Sequence, residues 1–140
     1  MTKPQAQDYG ATVLRASLGT MFLAHAGLKI FVFTLPGTVG YFESLGLPGV
    51  FAHATILAEL VGGFALIAGI YTRAVSLALI PLLAGTITFV HGANGWAFTN
   101  EGGGWEYPAF LIAALFAQAL IGDGTFALNT TIRRLRNPQA

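Results

Sequence analysis

Three ionisable residues lie deep inside long apolar segments of this chain. Glu59 stands near the middle of one segment, and His25 and Lys29 stand one helical turn apart toward the end of another. A charged group inside a membrane is costly and usually serves pairing or function. Glu59 is too deep to reach water along its own side chain, so it is protonated, paired with His25 or Arg15, or open to a cavity. A buried acid and a histidine that titrates near neutrality suit proton-coupled chemistry.

We predict that Glu59 and His25 line one polar cavity that opens toward the outer leaflet, and that these two residues carry the chemistry. Lys29 lies one turn outward from His25 on the same face, where its side chain is expected to extend toward the outer surface. There it would guard the entrance and favour an anionic headgroup. His91, at the outer end of a third apolar segment, is predicted to complete the ligand-binding set.

Other polar and aromatic residues have simpler interpretations. Arg15 is expected to extend to the cytoplasmic interface or to form an ion pair with Asp123, which ends the last apolar segment at a similar depth. Aromatic residues flank the outer ends of the segments, as in the belts found at lipid headgroups. They are Tyr41, Trp96, Trp105 and Tyr107.

The three histidines also allow a metal or haem site, because neutral imidazoles on facing helices can ligate both. His25, His53 and His91 all fall in the outer half of the predicted membrane domain, but their spacing matches no closed metal motif. The chain contains no cysteine. This excludes a disulfide relay, a thiolate-held iron–sulfur cluster and a cysteine nucleophile within the chain.

The elements that must position these residues are membrane helices. Only 9% of the 140 residues are charged, 54% are apolar and the mean hydropathy is +0.66, whereas about a quarter of an ordinary soluble domain is charged. Four segments approach the roughly 20 apolar residues that a crossing helix needs. The composition therefore predicts an all-α fold, a four-helix integral membrane bundle formed by one domain over residues 1–140. Its helices are expected at about 9–33, 48–71, 74–92 and 107–122.

The basic residues predict the orientation. With four crossings, both termini and the turn at Arg73 share one side, while the loops 33–48 and 93–106 with their glutamates lie on the other. Lysine and arginine concentrate on the cytoplasmic face, so both termini are predicted to be cytoplasmic. The basic residues on that side are Lys3, Arg73, Arg133, Arg134 and Arg136.

Short motifs across the first three segments resemble those of a known family. They are Arg15-x-x-x-Gly19, His25-x-Gly27-x-Lys29, Phe42-x-x-Leu45-Gly46-Leu47-Pro48, Glu59-x-x-Gly62-Gly63 and Gly69-x-x-Thr72-Arg73. In order and spacing they resemble the DoxX family, and the segments 89–92 and 104–108 are similar to one branch of it. The resemblance implies a small, multi-pass bacterial inner-membrane protein of four helices. Because some relatives are associated with thiosulfate:quinone oxidoreductase or with resistance to quinone-like and thiol stress, it also implies redox chemistry near the quinone pool.

Three classes of function follow. In the first, the chain is a quinone-linked redox subunit in which His25, Lys29 and Glu59 hydrogen-bond a quinone headgroup and move its protons, with electrons supplied by a redox protein partner. In the second, it is a non-enzymatic membrane partner that docks or stabilises another protein or a second copy of itself. The third is the histidine-based metal or haem site. The lipid bilayer is the expected surrounding in all three, and nucleic acid is not an expected partner.

Overall fold

A computed structural model describes residues 2–129, which contain α-helices and no β-strand. The predicted all-α class is therefore confirmed. The cytoplasmic basic residues predicted at Arg133, Arg134 and Arg136 lie outside the described residues. The α-helices of the described part are α1 Lys3–Gly27, α2 Leu35–Ser44, α3 Val50–Ala68, α4 Thr72–Thr86 and α5 Glu106–Ile121.

The first helix continues beyond α1 through one wider, π-helical turn, Leu28–Val32, and the chain then bends by 101° into α2. The segment 33–48 was predicted to be a loop, and the ten residues of α2 correct that prediction. The start of α2 has two helix-initiating features, since the Thr34 hydroxyl accepts a hydrogen bond from the Gly37 N–H at 3.3 Å and Pro36 occupies the first turn.

Two further helices follow with a tight turn between them. Gly69 ends α3 in the left-handed conformation with φ of 69°, which glycine adopts without a steric penalty. The helix that begins with α4 runs on through a second π-helical turn, Ile87–His91, and a short 3₁₀ turn, Gly92–Asn94. A structured loop then leads to α5.

Among the described residues, two helices are long and apolar enough to cross a membrane, namely Val50–Ala68 and Thr72–Asn94. A third qualifies if the bent pair 5–32 and 35–44 counts as one span. The 16 residues of α5 extend only about 24 Å, less than the roughly 30 Å of a hydrocarbon core. The fourth crossing and the cytoplasmic location of both termini therefore stay predictions.

The helices pack in two main pairs, α1 against α3 and α4 against α5, and smaller contacts between the pairs close the bundle. Glycines allow the first pair to approach closely, since a Cβ atom on Gly19 would lie 2.6 Å from the Gly63 carbonyl oxygen. Large apolar side chains cover the outside, as expected of a lipid-facing surface. The buried core consists of Leu18, Phe22, Leu66, Leu79, Leu83, Leu111 and Leu115.

Candidate functional site

A buried ion pair joins the first and third helices. The Lys29 Nζ atom lies 2.7 Å from Glu59 Oε1, and the two side chains are 19% and 4% exposed. Among residues 5–129 it is the only side-chain ion pair. For the alternative in which Glu59 is paired, the sequence suggested His25 or Arg15 as the partner, and the structure corrects this partner to Lys29.

The position of Lys29 follows from helix geometry. In a helix the Cα–Cβ bonds tilt toward the N-terminus, so a lysine at the C-terminal end of a helix starts its side chain back toward the middle of the bundle. Lys29 was expected to extend outward, and this inward direction corrects that expectation. Its backbone carbonyl lies in the π-helical turn and accepts a hydrogen bond from the buried Thr38 hydroxyl of α2 at 2.9 Å. Thus α2 holds the turn that carries the lysine.

The second carboxylate oxygen of Glu59, Oε2, is buried and has no hydrogen-bond partner within the described part of the chain. Glu59 as a whole is only 3% exposed. A carboxylate can accept about four hydrogen bonds, and a buried polar atom without a partner is costly. Glu59 can therefore accept a further hydrogen bond, from a hydroxyl group or a proton-carrying ligand, without losing the lysine.

His25 lies beside this pair and is held in one orientation. Its Nδ1 lies 2.8 Å from the carbonyl oxygen of Met21, and its ring stacks on Tyr107 with centroids 6.0 Å apart. Because a carbonyl oxygen only accepts, Nδ1 carries the hydrogen and Nε2 of the neutral ring is an acceptor. His25 lies one helical turn before Lys29 on the same side of the first helix, and Lys29 bonds to Glu59, so these three residues form one group.

His91 lies apart from that group, on the wall of an open groove of about 960 Å³. Its Nδ1 is 2.9 Å from the Gly103 carbonyl oxygen, so it anchors the loop before α5. The loop also bonds to α5 itself, because the Phe98 N–H donates to Glu106 Oε1 at 2.7 Å. Tyr107, which the sequence assigned only to an aromatic belt, lines this groove and touches His25. Residue type does not reveal that contact, because it depends on how α1 and α5 pack.

The three histidines do not form a metal site. Residues 2–129 contain no group of three or more His, Asp or Glu side chains placed to hold one ion. His53 is exposed, and its Nδ1 lies 3.3 Å from the Gly49 carbonyl oxygen one turn earlier in the chain. The three histidines therefore do not come together as the joint metal site that the sequence left open as an alternative.

Arg15 is buried at the opposite end of the bundle, and its contacts correct the predicted ion pair with Asp123. Its Nε donates at 2.9 Å to the backbone carbonyl of Asp123, not to the carboxylate. The two terminal nitrogens donate to the carbonyls of Leu66 and Ile67 at the end of α3 and of Thr125 after α5. A guanidinium has five N–H donors, so one Arg side chain can donate to several backbone carbonyls at once. A single carboxylate could not accept from all of these donors. Arg15 thus joins three segments of the fold.

These features define a class: a small helical membrane protein with a buried lysine–glutamate pair near one end and a buried, carbonyl-bound arginine near the other. The chain belongs to the DoxX family, whose family model matches residues 10–92. This match confirms the family resemblance of the motifs.

Two curated bacterial proteins are similar over nearly the whole chain. A Bacillus subtilis (strain 168) protein named "Putative oxidoreductase CatD" is 35% identical over 122 residues, covering 87% of this chain and 86% of its own. The Escherichia coli (strain K12) "Inner membrane protein YqjF" is 28% identical over 137 residues, covering 91% and 95%. The predicted multi-pass bacterial inner-membrane location is thereby confirmed. No solved structure matches the chain significantly.

Proposed function

We propose that the chain is a quinone-binding redox subunit of the bacterial inner membrane, with its site at Lys29, Glu59 and His25. The observation that carries the proposal is the buried Glu59 Oε2 atom, which lacks a partner beside a lysine that is already paired. The word oxidoreductase in the name of the B. subtilis relative supports the same direction.

The donors and acceptors of the group fit both states of a quinone headgroup. A quinone presents carbonyl oxygens, which accept hydrogen bonds, and its reduced form presents hydroxyl groups, which donate them. The Lys29 ammonium can donate to the first, and Glu59 Oε2 or His25 Nε2 can accept from the second. When bound, the quinone supplies two-electron, two-proton redox chemistry.

The residues of this chain would bind the ring and hold or accept its protons. Glu59 and His25 are the two groups that can exchange a proton in this apolar setting. With no cysteine in the chain, we assign the supply of electrons to a redox protein partner. In this proposal the subunit orients the headgroup and conducts protons, while the partner conducts electrons.

Replacing Glu59 by Gln tests the proposal. The change keeps the shape of the side chain but replaces the charged carboxylate, which accepts hydrogen bonds, with a neutral amide. Retention of quinone should therefore fall about tenfold, because one charge-assisted hydrogen bond is lost. The measurement is mass spectrometry of quinone that co-purifies with the protein in mild detergent. Glu101→Gln removes an exposed loop carboxylate and should leave retention unchanged.

A second variant protects the test against misfolding. Lys29→Met with Glu59→Leu replaces the whole pair by apolar groups, which is often neutral or stabilising in a buried setting. This double variant should fold and retain no quinone. If Glu59→Gln, His25→Ala and the double variant all retain quinone at the level of the unmodified protein, the pair only packs helices and the proposal is wrong.

A further inference from the structure

The groove beside His91 is built by specific contacts and is not a gap left by a loose loop. Backbone hydrogen bonds of 3.1 Å from the Trp105 N–H to the Gly95 carbonyl and from the Glu106 N–H to the Trp96 carbonyl join the loop to the start of α5. With the bonds of His91 and Glu106 already described, they hold both walls in place. The groove is therefore bounded by a loop that is hydrogen-bonded to the helices on both sides.

The walls are almost entirely apolar and largely aromatic. The carboxylate of Glu106 already binds the Phe98 N–H, and His91 already binds a carbonyl, so the polar groups of the lining are partly engaged. Aromatic walls favour a flat apolar ring through stacked and edge-to-face contacts. The lining residues that carry rings are Trp96, Phe98, Tyr107, Pro108 and Phe110.

Tyr107 connects this groove with the buried group. Its side chain lines the groove, and its ring also stacks on His25 at an interplanar angle of 23°. His25 in turn lies one helical turn before Lys29, the lysine that pairs with Glu59. Tyr107 thus lies between the apolar groove and the polar group of His25, Lys29 and Glu59. The groove suits a flat ring, and the polar group suits oxygen atoms attached to such a ring.

We propose that the groove is the entry and ring-binding part of the site, that its occupant is a lipid-soluble quinone ring, and that Tyr107 positions this ring against His25. This inference rests on the proposed function and adds the route and a specificity-determining residue to it. The open groove admits the ring from the outer leaflet, and its aromatic walls select a planar ligand.

Tryptophan fluorescence provides a direct measurement, because Trp96 lines the groove. The other tryptophan of the chain, Trp105, is not part of the lining and contacts Trp96 edge-on with centroids 4.6 Å apart. A bound quinone accepts an electron from an excited indole at contact distance and quenches its fluorescence. Titration of the detergent-solubilised protein with a short-tailed benzoquinone should therefore give saturable quenching, which Trp96→Phe should largely remove.

Variants of Tyr107 test its role. Tyr107→Ala removes the wall and should weaken the quenching affinity about tenfold, whereas Tyr107→Phe keeps the stacked ring and should weaken it less than about threefold. Phe116→Ala, which removes an exposed aromatic side chain of the same helix outside the groove, is the matched control and should change nothing.

The outcomes separate this inference from the proposed function. If quinone retention depends on Glu59 but quenching rises linearly without saturation, or Tyr107→Ala binds as the unmodified protein does, the groove is not the ring-binding part and only this inference fails. If the protein shows neither retained quinone nor saturable quenching, the proposed function itself is wrong.

Discussion

Two cations in the first helix show how a side chain can carry charge into an apolar bundle. Lys29 meets a single carboxylate, which leaves one oxygen of Glu59 free for a ligand. Arg15 meets backbone carbonyls, including those of Leu66 and Ile67, which form the negative end of the α3 dipole. The Lys29–Glu59 pair leaves a carboxylate oxygen that can still accept a hydrogen bond. The contacts of Arg15 only join segments of the fold. This difference is why the proposed site lies at Glu59 and not at Arg15.

At this scale we predict that Arg15 and Asp123 contribute unequally to stability. Arg15→Ala removes a buried guanidinium and its hydrogen bonds to one buried and three partly buried carbonyls, so it should lower the free energy of unfolding by about 2–5 kcal/mol. Asp123→Ala keeps the backbone carbonyl that Arg15 binds and should cost less than about 1 kcal/mol. Thermal unfolding in detergent, followed by circular dichroism, measures both. Equal losses would show that the carboxylate of Asp123 is the true partner.

Among the helices, the two π-helical turns are the elements most closely tied to the site. One contains Lys29 and the other contains His91, and such turns are rare and frequently found at functional sites. Apolar windows do not reveal them, because one widened turn leaves the hydropathy of a segment unchanged. The outward direction assigned to Lys29 was wrong for another reason, the tilt of Cα–Cβ bonds toward the N-terminus of a helix. Each predicted window overlaps one long helix, but α1 begins at Lys3, six residues before its window, and the helix Thr72–Asn94 extends past both ends of 74–92.

The close approach of α1 and α3 depends on particular glycines, and the structure shows which ones face each neighbour. Gly62 packs against the Leu79 side chain of α4, whereas Gly63 faces the backbone of Gly19. Glycine composition predicts close packing, but the rotation of the helix decides which glycine faces which neighbour. The rotation of a helix depends on how all the helices of the bundle pack together, so a short sequence motif does not predict it.

At the element scale we predict that Gly19→Ala destabilises the bundle, because its Cβ would lie 2.6 Å from the Gly63 carbonyl oxygen and would push α1 away from α3. A loss of about 1–3 kcal/mol is typical of such overpacking. Gly10→Ala is the matched control in the same helix: its Cβ meets nothing within 4 Å, and alanine favours helix, so stability should stay equal or rise. Detergent unfolding midpoints compare the two, and a neutral Gly19→Ala would contradict the close contact.

The whole molecule is organised by its surroundings. Large apolar side chains face outward on its helices, among them Val61 and Phe64 of α3 and Phe110 and Phe116 of α5, each more than half exposed. In a bilayer such a surface is stable, because lipid replaces water around it. Composition alone therefore predicts the membrane class. The number of crossings is a finer question, since the 16 residues of α5 require a locally thin bilayer or a longer helix to span it.

The absence of cysteine allows the topology to be tested by single substitutions. Three exposed positions sample successive turns: Tyr71 between α3 and α4, Thr99 between α4 and α5, and Leu128 after α5. With cytoplasmic termini and four crossings, a membrane-impermeant maleimide added to intact spheroplasts should label only Thr99→Cys, because the bilayer shields the other two. Tyr71→Cys and Leu128→Cys should react only after permeabilisation, which serves as their positive control. Labelling of both Thr99→Cys and Leu128→Cys from outside would mean that α5 does not cross the membrane. Labelling of Tyr71→Cys and Leu128→Cys in place of Thr99→Cys would mean that the protein has the opposite orientation.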